Sequence, residues 1–177
     1  MRIGTGFLRG RLLEVSEGVR PTGGRTKEAL FSRWQGTLPD CDFLDLFAGS
    51  GAIGLEAVSR GARHAVLVER DGRALSTAKS NSERLAPGRC TVLRATLPRL
   101  PDAVLARAPF AHVFADPPYD FDAYEELLDQ VARVLGPGGE AAVEHSSRLE
   151  LKVTITGLVL TTARRYGESE LSFYEIS

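Results

Sequence analysis

The feature that most constrains this chain is a glycine turn set between an apolar run and a helical pattern. Phe43 to Phe47 is apolar except for Asp45, and Gly49-Ser50-Gly51-Ala52-Ile53-Gly54 follows it as a G-x-G-x-x-G match. Glycines at such a turn let the backbone approach a ligand and give the next helix a tight start. The turn therefore predicts a strand–turn–helix unit of a doubly wound sheet, with a ligand site beyond the strand ends.

Strand and helix patterns alternate along the rest of the chain. Apolar runs predict strands at 64–69, 90–94, 111–116, 140–145, 151–163 and 170–176. Helices are predicted at 24–35, from Ile53 to Val58, from Ala74 to Leu85 with Asp71 as cap, and from Phe121 to Leu135. The last helix is expected to start at an Asp122…Glu125 capping box and to stop at Gly136-Pro137-Gly138-Gly139.

The alternation predicts an α/β fold with a mostly parallel sheet covered on both faces. Only Arg164 to Ser169 separate the last two strands, which is too short for a crossover helix, so they should form a C-terminal antiparallel hairpin. With 177 residues, 43% of them hydrophobic, the chain is expected to fold as effectively one domain. We divide it into a basic N-terminal extension at 1–36, with short strands or an extended arm before a helix, and an α/β domain at 37–177.

Composition limits the classes of function. No apolar run approaches the ~20 residues of a membrane span, and the start lacks a signal peptide's apolar core, so we expect a cytoplasmic protein without a membrane partner. The two cysteines, Cys41 and Cys90, and the three histidines show no metal-ligand spacing, so no metal is expected. Residues 1–36 carry seven basic and three acidic side chains in a chain of net charge −1, which indicates a polyanion contact at one end or a solvated basic face.

Two carboxylates beside the glycine turn point to the ligand. Asp45 precedes Gly49 by four residues, where it would suit the ammonium of a methionine group and would repel a pyrophosphate. Glu69 ends the second predicted strand, where it can accept hydrogen bonds from both ribose hydroxyls of a nucleoside. Ribose hydroxyls occur in both NAD and S-adenosylmethionine, so Asp45 is the residue that favours S-adenosylmethionine.

A second motif follows the fourth predicted strand. Asp116-Pro117-Pro118-Tyr119 is a stiff turn, because its prolines fix φ and lack N–H groups. The Asp116 carboxylate and the Pro117 carbonyl could hold the hydrogens of an amino group conjugated to a base, favour its pyramidal form, and stabilise the developing positive charge. Tyr119 can stack on the base. The motif predicts methylation of an exocyclic amine on a nucleobase.

Several stretches carry a family resemblance that spans nearly the whole chain. They are Arg20-Pro21-Thr22 with Arg25 to Phe31, Asp45 to Arg60, and Asp116 to Tyr119, supported by Arg9-Gly10-Arg11 and Tyr166-Gly167-Glu168. In these stretches the chain resembles the RsmD-type small-subunit ribosomal RNA guanine-N2 methyltransferases. The R-P-T-x-x-R-x-K-E-x-L-F stretch is its specific part, since glycine and DPPY motifs recur in many amino methyltransferases.

The resemblance implies a Rossmann-like class I methyltransferase fold with a seven-stranded sheet, and guanine N2 of bacterial 16S rRNA, free or in the small ribosomal subunit, as substrate. It implies catalysis by Asp116, Pro117 and Tyr119. The cofactor S-adenosyl-L-methionine would be held by Asp45, Ala48, Gly49, Gly51, Glu69, Arg70, Thr96 and Asp116. RNA would be bound by Arg9, Arg11, Arg20, Thr22, Arg25 and Tyr119. Small size favours a monomer.

One position departs from the family. A polar Asp or Asn that contacts the cofactor's adenine usually follows the third strand, whereas Ala95-Thr96 stands there in this chain. Adenine recognition is therefore expected to rest on backbone groups or on Thr96.

Three other functions compete with this prediction. An adenine-N6 methyltransferase acting on DNA or RNA would use the same Asp116 to Tyr119 chemistry, but normally carries a target-recognition segment for which 177 residues leave no room. A nucleotide-dependent oxidoreductase would leave the Asp116 to Tyr119 motif unexplained. A non-catalytic RNA-binding or ribosome assembly factor would not need Asp116 and Tyr119.

Overall fold

A computed structural model of the protein describes residues 1–16 and 23–177. The helices are α1 (Gly24–Trp34), α2 (Ala52–Ser59), α3 (Gly72–Leu85), α4 (Asp102–Leu105) and α5 (Tyr124–Ala132). The strands are β1 (Asp42–Leu46), β2 (His64–Glu69), β3 (Cys90–Arg94), β4 (Phe110–Ala115), β5 (Leu135–Ser146), β6 (Thr154–Ile155), β7 (Leu158–Tyr166) and β8 (Ser169–Ile176).

All eight strands form one sheet in the order β3-β2-β1-β4-β5-β8-β7-β6. The first five strands pair in parallel, and β8, β7 and β6 are antiparallel to their neighbours. The predicted α/β class and C-terminal hairpin are confirmed, and the hairpin turns through Gly167 at φ 66. The sheet has eight strands instead of the seven implied by the resemblance, because a turn at Thr156-Gly157, both at positive φ, separates the short β6 from β7.

Alternate residues of the parallel strands enter two cores on opposite faces. Phe43 packs in the core beneath α1, α2 and α3, while its neighbour Leu44 packs in the core beneath α4 and α5. This arrangement follows from the period of two along a strand, because both faces of a parallel sheet are covered by crossover helices. The carboxyl ends of β1, β2, β3 and β4 therefore meet along one edge of the sheet, which we call the site edge.

The segment before α5 differs from the sequence prediction. The helix starts at Tyr124 and ends at Ala132, its N-cap is Ala123 without a side-chain hydrogen bond, and the predicted Asp122…Glu125 capping box is absent there. Phe121 precedes the helix and packs edge-on against Phe47 and Tyr124, at centroid distances of 5.2 and 5.0 Å. Its helical spacing with Tyr124 thus reflects aromatic packing instead of a shared helix.

The glycine-rich stretch after α5 does not act as a loop. β5 begins at Leu135 and continues through it, with a register shift against β4 between Phe110 and His112. A Cβ on Gly139 would lie 2.8 Å from the Ala111 carbonyl oxygen, so glycine is what allows these two strands to approach. The short helix α4 was not predicted. Residues 2–15, where short strands or an extended arm were predicted, contain a single isolated bridge, from Arg2 to Leu12.

The N-terminal segment and α1 are fixed to the sheet and α2 by buried carboxylates. Glu56 of α2 accepts the N–H groups of Gly4 and Thr5 at 2.9 and 3.0 Å. Glu140 of β5 accepts hydrogen bonds from the Arg33 guanidinium and, at 2.6 Å, from the Trp34 indole. The predicted extension therefore packs as part of the same core.

Candidate active site

The glycine turn joins β1 to α2 at the site edge. Phe47, Gly49 and Gly51 all have positive φ, at 62, 56 and 83°. A Cβ on Gly51 would lie 3.1 Å from Leu67, and one on Gly54 would lie 2.1 Å from the same side chain. Gly51 is thus required for both its backbone conformation and its close packing, and Gly54 for its close packing. The turn leaves backbone groups where a ligand can approach.

Glu69 braces this turn from the end of β2. Its Oε2 accepts the Gly49 N–H at 2.8 Å, while Oε1 accepts the N–H groups of Arg70 and Asp71 at 2.7 and 2.8 Å. Asp71 caps α3 as predicted, by accepting the N–H groups of Arg73 and Ala74. The half-buried Glu69 carboxylate retains acceptor capacity, because an ionised carboxylate offers about four lone-pair sites.

Asp45 lies beneath the turn and is only 1% exposed. Burial raises the pKa of its carboxyl to about 8, opposed by the Gly54 N–H, which donates to Oδ2 at 2.9 Å; the charges of Asp116 and Glu69 raise the pKa further. A carboxyl in this state becomes a carboxylate readily when a cation binds beside it.

The remaining predicted cofactor residues lie around this centre. The Ala48 N–H donates to the Val68 carbonyl at 3.0 Å, which fixes the turn against β2. Arg70 and Thr96 are exposed at the site edge, where β2 and β3 end, and the Ala95 N–H donates to the Glu69 carbonyl at 3.2 Å. The sheet therefore brings Ala95-Thr96, where the sequence departs from the family, next to Glu69.

The Asp116 to Tyr119 turn leaves β4, which is the neighbour of β1. The Asp116 N–H donates to the Leu46 carbonyl at 3.4 Å, so the motif begins directly beside the glycine turn. Asp116 is half-buried and Pro117 buried, while Tyr119 is 88% exposed. The predicted amine-binding carboxylate thus lies next to the predicted cofactor turn, and Tyr119 is available to stack on a base.

An aromatic row behind Asp116 was not recognised from the sequence. The row consists of successive edge-to-face ring contacts, with centroids 5.2, 5.0 and 6.3 Å apart, between Phe47, Phe121, Tyr124 and His145. Burial raises the pKa of Tyr124, and the Asp116 charge raises it further. The position of His145 in the sequence does not predict its place in this row, because strand pairing brings it next to Tyr124.

His145 is held as a neutral ring. Its Nε2 lies 2.8 Å from the Ser172 hydroxyl and its Nδ1 lies 2.9 Å from the Ser146 carbonyl oxygen. Burial lowers the pKa of His145. Glu170 Oε1 lies 3.7 Å from the same Nε2, so the His145 end of the row lies beside a second carboxylate. Phe47, Phe121 and Tyr124 form an uncharged aromatic surface, as a planar ligand requires.

The predicted RNA-binding residues do not all lie at the site edge. Phe7 and Leu8 bond to Ser59 at the far end of α2, which places Arg9 and Arg11, both exposed, near the opposite edge of the sheet. Arg25 is exposed in the first turn of α1. Arg20 and Thr22 lie outside the described residues. The N-cap of α1 is Gly23, without a side-chain hydrogen bond.

The described residues contain neither a candidate metal site nor a helix suited to a membrane. Within residues 1–16 and 23–177, no three His, Cys, Asp or Glu side chains come together as a metal site. In that part of the chain, no helix combines the length and the apolar character needed to cross a bilayer. Cys41 and Cys90 are both free thiols.

Comparison with known proteins decides the family. Residues 1–175 match the family described as "Conserved hypothetical protein 95". The chain is 35% identical over 181 residues to YlbH of Bacillus subtilis, covering 99% of this chain and 98% of that protein. It is 36% identical over 135 residues to "Ribosomal RNA small subunit methyltransferase D" of Haemophilus influenzae, covering 72% and 68%.

The chain belongs to the RsmD-type methyltransferase family. Among solved structures, the yhhF protein of Escherichia coli superimposes with a TM-score of 0.86 at 32% identity, covering 99% of this chain and 97% of its own. RsmD-type membership agrees with the resemblance carried by the Arg20 to Phe31, Asp45 to Arg60 and Asp116 to Tyr119 stretches.

Proposed function

We propose that this protein methylates the exocyclic N2 amine of a guanine in bacterial 16S ribosomal RNA, with S-adenosyl-L-methionine as methyl donor. The observation that carries the proposal is the placement of Asp116 beside the glycine turn, on the neighbouring strands β4 and β1. The names of the Haemophilus influenzae relative and of an Escherichia coli protein, 38% identical over 133 residues, support the RNA substrate.

The residues present fit the cofactor. The turn has glycine where a Cβ would strike Leu67, and Glu69 offers a half-buried carboxylate to paired ribose hydroxyls. Asp45 would face the ammonium of the methionine group across the turn, and Thr96 or the backbone near Ala95 would contact adenine. When bound, S-adenosylmethionine supplies an electrophilic methyl group on a positively charged sulfur.

Asp116 and Pro117 would hold the target amine. The carboxylate and the Pro117 carbonyl oxygen each accept one amine hydrogen, which directs the nitrogen lone pair toward the cofactor side of the site. The carboxylate also stabilises the positive charge that develops on nitrogen. Holding the amine in line accounts for much of the acceleration, since correct positioning lowers a barrier by roughly 7–11 kcal/mol.

Tyr119 and the aromatic row would hold the base. Tyr119 stacks on one face, a contact worth ~1–3 kcal/mol per base. The row from Phe47 to His145 provides a neutral wall behind Asp116. No lysine or arginine belongs to this row, so the base would meet aromatic surface and the Asp116 carboxylate.

The test is the identity of the methylated product. The protein is incubated with labelled S-adenosylmethionine and, in separate reactions, naked 16S RNA, small ribosomal subunits and DNA, followed by nucleoside mass spectrometry. N2-methylguanosine from an RNA substrate is expected. If the product is N6-methyladenine, the target is adenine N6 and the proposed guanine N2 is wrong. Binding of RNA without any product would favour a non-catalytic role.

A further inference from the structure

The N-terminal segment lies along one face of α3. Three side chains spaced at i, i+4 and i+7 hold it: Thr77, Asn81 and Arg84. The Ser16 hydroxyl donates to Thr77 Oγ1 at 2.7 Å, and Arg84 donates to the Leu12 carbonyl at 2.8 Å. Because α3 begins at the site edge, the segment rises toward the site from Leu12 to Ser16.

Asn81 is fully buried at the centre of this contact. Its Nδ2 donates to the Glu14 carbonyl at 2.9 Å and to the Ser50 carbonyl at 3.0 Å. Its Oδ1 accepts the Glu14 N–H and an Arg84 N–H, each at 3.1 Å. All four hydrogen-bonding positions of the amide are therefore used, by groups from three separate parts of the chain.

The glycine turn is consequently held from two sides. Glu69 holds the Gly49 N–H on the side where the ribose would bind. Asn81 holds the Ser50 carbonyl from behind, with the same amide nitrogen that binds Glu14. A single buried side chain thus connects the turn to the N-terminal segment.

We propose that Asn81 is a positioning residue that couples cofactor binding at the glycine turn to docking of the N-terminal segment. The proposal rests on the cofactor assignment made above. It adds a link between that site and the segment that carries Arg9 and Arg11.

The physical reason is the loss of partners that hold the amide in place. If residues 12–16 leave α3, Asn81 loses the Glu14 carbonyl and the Glu14 N–H, two of its four hydrogen-bond partners. An amide held by fewer partners is less firmly oriented, so it would hold the Ser50 carbonyl less firmly. A ligand that fixes the turn therefore favours the docked segment, and by thermodynamic reciprocity the docked segment favours the ligand.

The experiment uses the demethylated cofactor S-adenosylhomocysteine and full-length variants. Glu14→Pro removes the N–H that Oδ1 accepts and leaves the sequence of α3 unchanged. Asn81→Leu removes the link itself. Thr77→Val is the matched control, because it deletes a neighbouring contact to the segment but none to the turn. Calorimetry gives the dissociation constants, and hydrogen exchange reports the Leu13 amide, which is present in every variant and donates to the Met1 carbonyl.

In the wild type and in Thr77→Val, S-adenosylhomocysteine should slow exchange at Leu13. In Glu14→Pro the ligand should bind about three- to tenfold more weakly, the loss expected for one buried hydrogen bond, and should leave exchange at Leu13 unchanged. Asn81→Leu should give the same results as Glu14→Pro. If Asn81→Leu does not fold, Glu14→Pro alone tests the proposal.

Two outcomes would overturn the coupling while leaving the cofactor assignment intact. One is wild-type affinity with ligand-dependent protection in Glu14→Pro, and the other is ligand binding to the wild type with no change at Leu13. A wild-type protein that fails to bind S-adenosylhomocysteine would overturn the cofactor assignment, and the coupling with it.

Discussion

The Glu69 carboxylate accepts the Gly49 N–H at 2.8 Å, which joins the end of β2 directly to the glycine turn after β1. The side chain predicted to bind ribose thus also sets the conformation of the turn predicted to bind the methionine group. Binding of the ribose and binding of the methionine group would therefore both depend on the Glu69 carboxylate.

Replacing Glu69 should therefore weaken cofactor binding strongly. Glu69→Gln puts an amide where a carboxylate accepts N–H groups, and hydrogen bonds to charged groups contribute about 1.5–3 kcal/mol, or roughly 10- to 100-fold in affinity. Calorimetry with S-adenosylhomocysteine measures this. Glu126→Gln, an exposed change on α5, is the control. Unchanged affinity in Glu69→Gln would refute the ribose role.

Asp116→Ala should separate binding from catalysis. The variant loses the acceptor and the charge that stabilise the reacting amine, so kcat should fall by about 100- to 1000-fold, as for other preorganised electrostatic groups. Cofactor affinity should fall by much less than kcat, since Asp116 is one of eight predicted cofactor residues and Glu69 and the turn are unchanged. Methyl transfer from labelled cofactor measures kcat, and full transfer by the variant would contradict the mechanism.

Asp45 should make cofactor binding release a proton. Burial raises the pKa of its carboxyl to about 8, so near neutral pH it is largely protonated before the methionine ammonium arrives. A cation beside it favours the carboxylate, so affinity should rise with pH from about 5 to about 8. Calorimetry in two buffers with different heats of ionisation measures the number of protons released on binding. Asp45→Asn should abolish this release.

The same shift predicts a trend in stability. Because the unfolded state releases the Asp45 proton at an ordinary pKa and the folded state retains it to about 8, the free energy of unfolding falls as pH rises between those values. Asp45→Asn removes this contribution. Denaturant titrations at several pH values should show a shallower fall for the variant, and parallel curves would argue against a raised pKa.

Tyr119 should affect RNA use without affecting stability. Its side chain is 88% exposed, so Tyr119→Ala should unfold at the wild-type temperature. Loss of stacking, ~1–3 kcal/mol per base, should raise KM for RNA by roughly 5- to 100-fold, and Tyr119→Phe should restore it. Steady-state kinetics on RNA compare the three proteins. Equal KM values for Tyr119→Ala and the wild type would exclude stacking.

Much of the architecture was predictable from local pattern. The bounds of β2 and β3, the Asp71 cap and the antiparallel hairpin all follow from periodicity and loop length. The fold also places the two site motifs side by side, as expected when parallel strands share one edge.

The differences arise where distant segments meet. The extent of α5 was overestimated because Phe121, Val134 and Leu135 are apolar for reasons of tertiary packing. Gly139 was interpreted as a helix stop, whereas its role is to let β4 approach β5. The aromatic row and the Asn81 contacts join residues far apart in sequence, for which a single sequence gives no signal.

The position of the N-terminal turns at residues 6–11 has a consequence for the size of the substrate. Arg9 and Arg11 lie beside the end of α2 that is remote from the site, so at least the length of that helix, about 12 Å for eight residues, separates them from the edge where Tyr119 lies. An RNA that touches both must extend along the side of the protein. Selection of the target base would then depend partly on whether the RNA around it is long enough to contact both places.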